Sequence, residues 1–383
     1  MKLVRMDIMN FRNHARTSFS TAERINGFVG DNGQGKTGLL EAISALCLTK
    51  SVFGSADVVL LQIGKDVLGV QGEFQGDGGV RYEVGLSYRA GEEKKTFTMN
   101  GTTLERLSDV VGQFPVVVLA PEMGAITSGA PPERRKFLDF VIAQASRIYL
   151  EDLLEYRRVL KQRNKILLDA RLARMDCSEL IEPWSAELID RGTRIAARRG
   201  AFVEEFKPLV EDAYHDLAGR GETPAIQYKP SIPMGLAASE ETIRTAFEAE
   251  LRRRGEEERQ AGATLVGPHR DDVAMTINGL GLRKYASQGQ HKTFVVALKV
   301  GEFQYLLGRR NERPILLLDD IFGELDNHRA EQLLDLIGSL GQAFITATGD
   351  GAFPAGFEWG SLNRRFLVHQ GSVVYDEASS FIR

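Results

Sequence analysis

A phosphate-binding loop near the start of the chain is the feature that most constrains its fold. The segment GDNGQGKT, residues 30–37, follows an apolar run containing Phe28 and Val29 and precedes the helical pattern TGLLEAISALCL. Closely spaced glycines let successive backbone N–H groups point at phosphate oxygens, and the start of the following helix adds positive charge. A glycine-rich turn without a ligand is the alternative, but strand, loop and helix stand in the order that the motif requires. The spacing therefore predicts an α/β fold of the P-loop class.

The residues of this loop have distinct expected roles. Lys36 would reach the β and γ phosphates of a nucleotide, and the Thr37 hydroxyl would be a ligand of Mg²⁺. The loop residues predicted to bind the nucleotide are Gly30, Asp31, Asn32, Gly33, Gln34, Gly35, Lys36 and Thr37.

An apolar run that ends in two carboxylates supplies the second half of the predicted site. RPILLLDD, residues 313–320, is typical of a buried parallel strand, and open α/β sheets bind ligands at the carboxyl ends of such strands. Asp319 is the expected partner of Mg²⁺, and Asp320 stands where it would orient the attacking water. Taken alone, the pair could be an ordinary acidic turn. Together with Lys36, it predicts a catalytic site for hydrolysis.

A polar cluster opens a later helical pattern. In ASQGQHKTFVVALKVGEFQYLL, which begins at residue 286, the segment Ser-Gln-Gly-Gln offers a hydroxyl and free N–H groups to a phosphate. Taken alone, the string is better explained as a plain helix cap. The order of loop, this segment, acidic strand and GELD (323–326) is that of the ABC class of ATPases, in which such a signature closes over the γ phosphate of a partner subunit. The predicted contacts in trans are Ser287, Gln288, Gly289 and Gln290.

The pattern of elements predicts a nucleotide domain that is interrupted by helices. The first 120 residues have strand patterns around the loop helix, Glu133 to about Gly219 is long charged helical sequence, and strands return beyond Ala263. The predicted domains are an ATPase lobe, 1–122 with 264–383, and a helical lobe, 123–263, toward which the signature segment 286–299 packs. Only about 85 residues of the middle are helical and no heptads are sustained, which excludes a long coiled coil.

Composition restricts the class of protein further. With 383 residues, 43% of them hydrophobic, the chain resembles a globular protein with a sizeable core. Its net charge of −4 means that any nucleic-acid surface must be a local patch. Cys47 and Cys177 lack a partner at metal-ligand or redox-motif spacing, which indicates a reducing compartment. No signal-peptide pattern or long apolar stretch is present, so we expect a cytoplasmic protein that makes no membrane contact.

Taken together, the motifs resemble those of the RecF family along nearly the whole chain. The segments that carry the resemblance are NFRNH (10–14), GDNGQGKTGLLEAI (30–43), APE (120–122), SGAPPERRKFLD (128–139), YRRVLKQRNKILL (156–168), GPHRDD (267–272), SQGQHK (287–292) and LLLDDIFGELD (316–326). The resemblance implies an α/β fold, namely an ABC-type P-loop ATPase similar to SMC and Rad50 heads, with an inserted helical lobe and no long coiled coil.

The same resemblance implies a function in recombinational repair, replication-fork maintenance and the SOS response. A protein of this family binds ATP and Mg²⁺, forms an ATP-dependent homodimer on double-stranded and gapped DNA, and hydrolyses ATP slowly as a weak DNA-dependent ATPase. It helps to load RecA together with RecO and RecR. The resemblance also implies that Arg12 contacts ATP and that Thr346 or Thr348 senses the γ phosphate. The alternative function is a nucleotide-gated DNA scaffold without catalysis.

A basic helix face is the candidate DNA contact. Arg191, Arg194 and Arg198 are spaced by three and four residues and therefore share one face. Glu187 and Asp190 can neutralise the first two arginines at i+4 spacing, whereas Arg198 has no such acid. A solvated helix face is the equal alternative.

Three further segments have weaker assignments. The Arg134-Arg135 pair and LRRRG (251–255) are lesser candidates for DNA contact. GPHRDD (267–272) combines one His with two Asp, which suggests a metal site, but no further histidines lie near it in the sequence. We interpret it as a structural or signalling turn near the nucleotide.

Overall fold

The chain folds as two units. The computed structural model describes residues 1–92, 94–233, 235, 238–321, 327–349, 353 and 357–375, without the side chains of 327–330 and 332. The first unit comprises Met1–Met123 and Phe303–Arg383, and the second comprises Gly124–Glu302. The first boundary between the units falls after Met123, one residue from the position expected from the sequence. Residues 264–302, however, group with the helical unit rather than with the ATPase lobe, because two strands on either side of residue 264 pair with each other.

The elements are numbered in chain order. The first unit opens with β1 (Lys2–Phe11), β2 (His14–Ser20), β3 (Ile25–Val29), α1 (Lys36–Leu48), α2 (Asp57–Leu60), β4 (Val67–Gln75), β5 (Arg81–Arg89), β6 (Lys94–Met99), β7 (Thr102–Thr103) and β8 (Val116–Leu119). The second contains α3 (Ala125–Ser128), α4 (Pro131–Ala145), α5 (Arg147–Ala173), α6 (Ser178–Ala218), β9 (Pro224–Lys229), α7 (Glu240–Arg253), α8 (Gly255–Ala261), β10 (Asp272–Ile277), β11 (Leu280–Gly281), α9 (Leu282–Tyr285) and most of α10 (Gln288–Arg310). The first unit then resumes with β12 (Ile315–Leu318), α11 (Asn327–Leu340), β13 (Ala343–Ala347), β14 (Asn363–His369) and β15 (Ser372–Tyr375).

A mostly parallel sheet forms the centre of the first unit. Its strand order is β15-β14-β3-β13-β12-β8, and every neighbouring pair is parallel except β14 with β15. Strands β3, β12 and β13 are buried at every position, as expected of strands that are covered on both faces. The prediction of a buried parallel strand before the acidic pair is confirmed.

The other sheet of this unit is antiparallel, in the order β2-β1-β4-β5-β6-β7. Side chains of β4 alternate between buried and more exposed positions, the pattern of a sheet with one face on the core. Strands β6 and β7 form the hairpin predicted from the sequence, because Asn100 and Gly101 both have positive φ, 50° and 77°, as a two-residue turn of this kind requires.

The second unit is built on two long helices. Helix α5 begins after Ser146, whose side chain accepts a hydrogen bond from the backbone N–H of Tyr149, and it packs along α6. Within the described residues α6 is the longest helix, with 41 residues, or about 60 Å at the usual rise. Strands β9, β10 and β11 form a small antiparallel sheet. None of the helices in the described part of the chain has the length and apolar composition needed to cross a membrane.

Candidate nucleotide site and basic helix face

Three parallel strands bring the predicted site residues to one edge of the central sheet. The phosphate loop follows β3, Asp319 and Asp320 follow β12, and Thr346 and Thr348 lie at the end of β13. Since β3, β13 and β12 are neighbours and run parallel, their carboxyl ends meet at the same edge. The Oγ1 atom of Thr37 lies 3.1 Å from each carboxylate oxygen of Asp319, so the loop and the acidic strand are in contact.

Two glycines of the loop stand where a side chain would not fit. A Cβ atom on Gly30 would lie 2.3 Å from the carbonyl oxygen of Val368. Gly35 has a φ of 110° and lies against His14, whose Nε2 is 3.0 Å from the Gly35 carbonyl oxygen. Nothing in the sequence spacing of His14 relates this residue to the loop. Its buried ring packs against the loop at Gly35.

Lys36 is held inside the loop by neutral groups. Its Nζ donates hydrogen bonds to the carbonyl oxygens of Gly30 (2.6 Å) and Asp31 (2.8 Å), and the residue is 8% exposed. Burial lowers the pKa of Lys36, although the negative charges of Asp320 and Asp319 act in the opposite direction. The ammonium group can therefore exchange two carbonyl partners for phosphate oxygens without breaking a salt bridge.

Asp319 and Thr37 form an oxygen-rich pair. Asp319 accepts hydrogen bonds from the hydroxyls of Thr37 and of Thr346, the latter at 2.6 Å. Burial raises the pKa of Asp319, and the nearby charges of Glu122 and Asp320 add to this effect, whereas the two threonine hydroxyls lower it. A hydroxyl and a carboxylate are hard oxygen ligands of the kind that Mg²⁺ prefers. The donor set fits the predicted metal.

Asp320 differs from its neighbour in environment. It is exposed, has a φ of 45°, and its carboxylate accepts a hydrogen bond from Thr348 at 2.9 Å. Thr346 is 1% exposed, and its hydroxyl donates to Asp319 while accepting from the Asp320 N–H. The two threonines, either of which could be the sensor on sequence grounds, therefore differ in their surroundings. Thr346 is bonded to both aspartates, whereas Thr348 is exposed next to Asp320. GELD (323–326) lies outside the described residues.

Arg12 forms an ion pair with Glu41 of the same unit. Its Nε and Nη2 atoms donate to Glu41 at 2.7 and 3.0 Å, and Glu41 is 2% exposed. Nη2 also donates to Ser55. The contact of Arg12 with ATP stays a prediction, and within the described residues only its Nη1 group lacks a hydrogen-bond partner. The sequence does not indicate this pairing, because Glu41 lies within the helical pattern of α1, 29 residues from Arg12.

The signature segment forms the start of α10. The Ser287 N–H donates to Oε1 of Gln290 at 2.8 Å, and the Gln290 N–H donates to the Ser287 hydroxyl at 3.2 Å. This reciprocal pair is a capping box. Gln290 also donates to Glu222 at 2.7 Å. Ser287, Gln288 and Gly289 are exposed, so the segment caps its helix and still presents a surface.

The basic face of α6 is partly neutralised. Arg191 and Arg194 bond to the acids four residues before them, as expected from the sequence. Both also contact Asp152 of α5, at 2.8 and 3.4 Å, which sequence spacing could not reveal. The hydrogen bonds that Arg191 donates to Asp152 and then to Glu187 raise the pKa of Arg191. Arg198 is exposed and has no acidic partner among the residues that the structure describes.

GPHRDD forms a turn inside the second unit. Tyr156 O–H donates to Nδ1 of His269 at 2.7 Å, and His269 Nε2–H donates to the Thr264 carbonyl at 3.1 Å. Asp271 is 1% exposed and pairs with Arg199. In the described part of the chain, no group of three or more His, Cys, Asp or Glu residues could hold a metal ion. The contacts agree with a structural turn.

The fold and the site define an ABC-type P-loop ATPase with an inserted helical unit. Residues 2–357 match the family described as "RecF/RecN/SMC N terminal domain". A solved SMC head bound to the C-winged helix domain of ScpA has the same fold, with a TM-score of 0.56 at 12% identity over 98% of each chain. The predicted fold class is confirmed.

The chain belongs to the RecF family. It is 43% identical over 351 residues to the DNA replication and repair protein RecF of Chloroherpeton thalassium, which covers 91% of this chain and 95% of the relative. The RecF protein of Salinibacter ruber is 40% identical over 359 residues, 92% of this chain and 86% of the relative. Among solved structures, the recombination mediator protein RecF-ATPrS in the RecFOR pathway superposes with a TM-score of 0.91 at 29% identity over 98% of each chain.

Proposed function

We propose that this chain is an ATP-dependent DNA-binding protein of DNA replication and repair, which dimerises on ATP and hydrolyses it slowly. The observation that carries the proposal is the meeting of Lys36, Thr37 and the Asp319-Asp320 pair at one sheet edge. Support also comes from the relatives, which are named DNA replication and repair proteins, and from similar structures described with ATP and with ATPrS in the RecFOR pathway. RecO and RecR are the proposed partners, and RecA an indirect one.

The residues of the site divide the chemistry of hydrolysis among them. Lys36 would bind the β and γ phosphate oxygens, and Thr37 and Asp319 would hold Mg²⁺. When bound, the metal ion would neutralise part of the negative charge of the phosphates. Asp320 would orient the attacking water and accept its proton. Thr348 would sense the γ phosphate, because it is exposed beside Asp320 while Thr346 is occupied by Asp319.

The exposed signature segment is proposed to complete the site of a second copy. Ser287→Arg should therefore leave ATP binding by the monomer unchanged and block ATP-dependent dimerisation, because the long cation would obstruct the partner's phosphates. Titration with a fluorescent ATP analogue measures the first effect, and sedimentation velocity measures the second.

Ser239→Arg is a matched control for this variant. Ser239 is an exposed N-cap serine of α7, so its replacement removes the same kind of cap and adds the same charge. It should dimerise normally. A collapse of ATP affinity in the Ser287→Arg monomer would instead place the signature in the site of its own chain.

The basic face of α6 is proposed to contact DNA phosphates. Replacement of Arg191, Arg194 and Arg198 by Ala should weaken binding about equally for all DNA sequences and flatten the salt dependence by roughly 0.9 log units per lost contact on duplex. Arg198 should contribute most, since the other two already have acidic partners. Titration of gapped duplex at several salt concentrations measures the slope.

Arg158→Ala is the control for loss of one positive charge, because Arg158 is exposed and already paired with Glu155. It should leave the slope unchanged. If the triple variant keeps the slope of the original chain and still dimerises with ATP, the face of α6 is only a solvated surface.

A further inference from the structure

The second unit contains a cavity of about 300 Å³ that takes no part in the proposed function. It lies between the first turns of α4, the middle of α5 and the GPHRDD turn. The lining residues that matter here are Arg135, Lys136, Asp139, Arg157, Arg199 and His269. We call this cavity the basic pocket.

The carboxylates near the pocket are already used by other groups. Asp139 accepts hydrogen bonds through Oδ1 from Arg199 (2.7 Å) and Tyr149 (2.6 Å), and through Oδ2 from Arg157 (3.0 Å). Arg199 is 2% exposed and also pairs with Asp271 at 3.1 Å. The carboxylates of Asp139 and Asp271 therefore balance the charges of Arg199 and Arg157.

Two further cations line the pocket without a carboxylate of their own. Arg135 donates to the backbone carbonyl of Asp271 at 2.6 Å, which is a neutral partner. Lys136 is exposed and has no partner among the described residues. Burial lowers the pKa of Arg135, and repulsion from Arg199 adds to this effect, whereas the nearby carboxylates of Asp271, Asp272 and Asp139 act in the opposite direction. A ligand with negative charge would relieve that repulsion.

The remaining walls carry no net charge. Because both ring nitrogens of His269 are hydrogen-bonded and burial lowers its pKa to about 4, this imidazole is neutral at physiological pH. Leu153 and Leu160 add apolar surface on the α5 side. Helix α4 begins beside the pocket, which Pro132 lines, but prolines occupy its first two positions and lack N–H groups. An anion would therefore be bound by side chains.

We propose that the basic pocket binds a phosphate monoester, either of a free nucleoside 5′-monophosphate or of the 5′ end of a DNA strand. A monoester carries nearly two negative charges at neutral pH, which matches the two unbalanced cations. An internal phosphodiester and a side-chain carboxylate each carry one. The volume is at the lower end for ligand sites and suits one nucleotide rather than a run of them, with the leucine wall against its sugar and base. The proposal stands independently of ATP-driven dimerisation.

Calorimetric titration with thymidine 5′-monophosphate tests the proposal. The Lys36→Ala chain is used alongside the original one, so that the phosphate loop does not compete. Both should bind the monophosphate and neither should bind thymidine. Arg135→Met and Lys136→Met should each weaken binding about tenfold, the effect of losing one charge-assisted hydrogen bond.

Lys165→Met is the matched control, because Lys165 is an exposed lysine of α5 that does not line the pocket. It should bind like the original chain. The Lys136→Met variant keeps the test valid if loss of Arg135 disturbs the fold, since Lys136 has no partner within the described structure to lose.

Competition with DNA identifies the source of the ligand. Displacement by a 5′-phosphorylated duplex but not by its 5′-hydroxyl form supports a strand end, and displacement by neither supports a free nucleotide. Equal binding of thymidine and its monophosphate would overturn the proposal, as would full affinity in Lys136→Met. Displacement by a glutamate-rich peptide at a lower concentration than the monophosphate would also overturn it, in favour of an acidic protein partner.

Discussion

Lys36→Ala is expected to abolish ATP-dependent dimerisation and to reduce ATP affinity by at least about a hundredfold. In the structure the Lys36 ammonium is buried and bonded to two loop carbonyls, from which it would transfer to two phosphates. Charge-assisted hydrogen bonds contribute about 1.5–3 kcal/mol each, so the loss of two corresponds to this factor or more. Titration with a fluorescent ATP analogue and sedimentation velocity measure the two effects.

Lys65→Ala is the matched control for the loss of a lysine in the same unit. Lys65 is exposed and lies outside the loop, so its removal should change neither ATP affinity nor the dimer. An ATP-induced dimer of undiminished stability in Lys36→Ala would remove Lys36 from the nucleotide site, and with it the reading of residues 30–37 as a phosphate loop.

Asp320→Asn is expected to reduce ATP turnover by about 10²- to 10⁴-fold while ATP binding is kept and the dimer lasts longer. The amide oxygen of Asn can still accept the hydrogen bond from Thr348 and hold a water, but it is a far poorer proton acceptor than a carboxylate. Phosphate release in a single turnover measures the rate, and the lifetime of the dimer after dilution measures its persistence.

Asp319→Asn should behave differently, which makes it the informative comparison. Asp319 contacts the Thr37 hydroxyl, so its replacement should weaken magnesium-dependent binding of ATP before any turnover is measured. If Asp320→Asn turns over ATP at the original rate, this residue is not the base. If the original chain itself shows no hydrolysis with gapped DNA, a non-catalytic scaffold becomes the better description.

Sequence reasoning succeeded where the signal is local. The loop before α1, the buried run before Asp319 and the Asn100-Gly101 turn are short patterns in which neighbouring residues determine the conformation. The convergence of loop and acidic strand also followed, because the carboxyl ends of parallel strands share an edge.

Contacts between distant segments escaped the sequence analysis. Arg199 directly follows Arg198 of the basic face in the sequence, yet its side chain turns inward to Asp139, 60 residues away, and Asp271, 72 residues away. Asp152 reaches Arg191 across the α5-α6 pair in the same way. The grouping of residues 264–302 with the helical unit depends on pairing of β9 with β10. Nothing in the spacing of these residues indicates which helix or strand will face them.

Sedimentation velocity of the purified chain, with and without ATP and Mg²⁺ and with and without gapped duplex, tests the central claim most directly. We expect a monomer without ATP, a dimer with ATP, and a dimer that sediments with the duplex only when ATP is present. A monomer under every condition, or a dimer on DNA that forms equally well without ATP, would contradict the account.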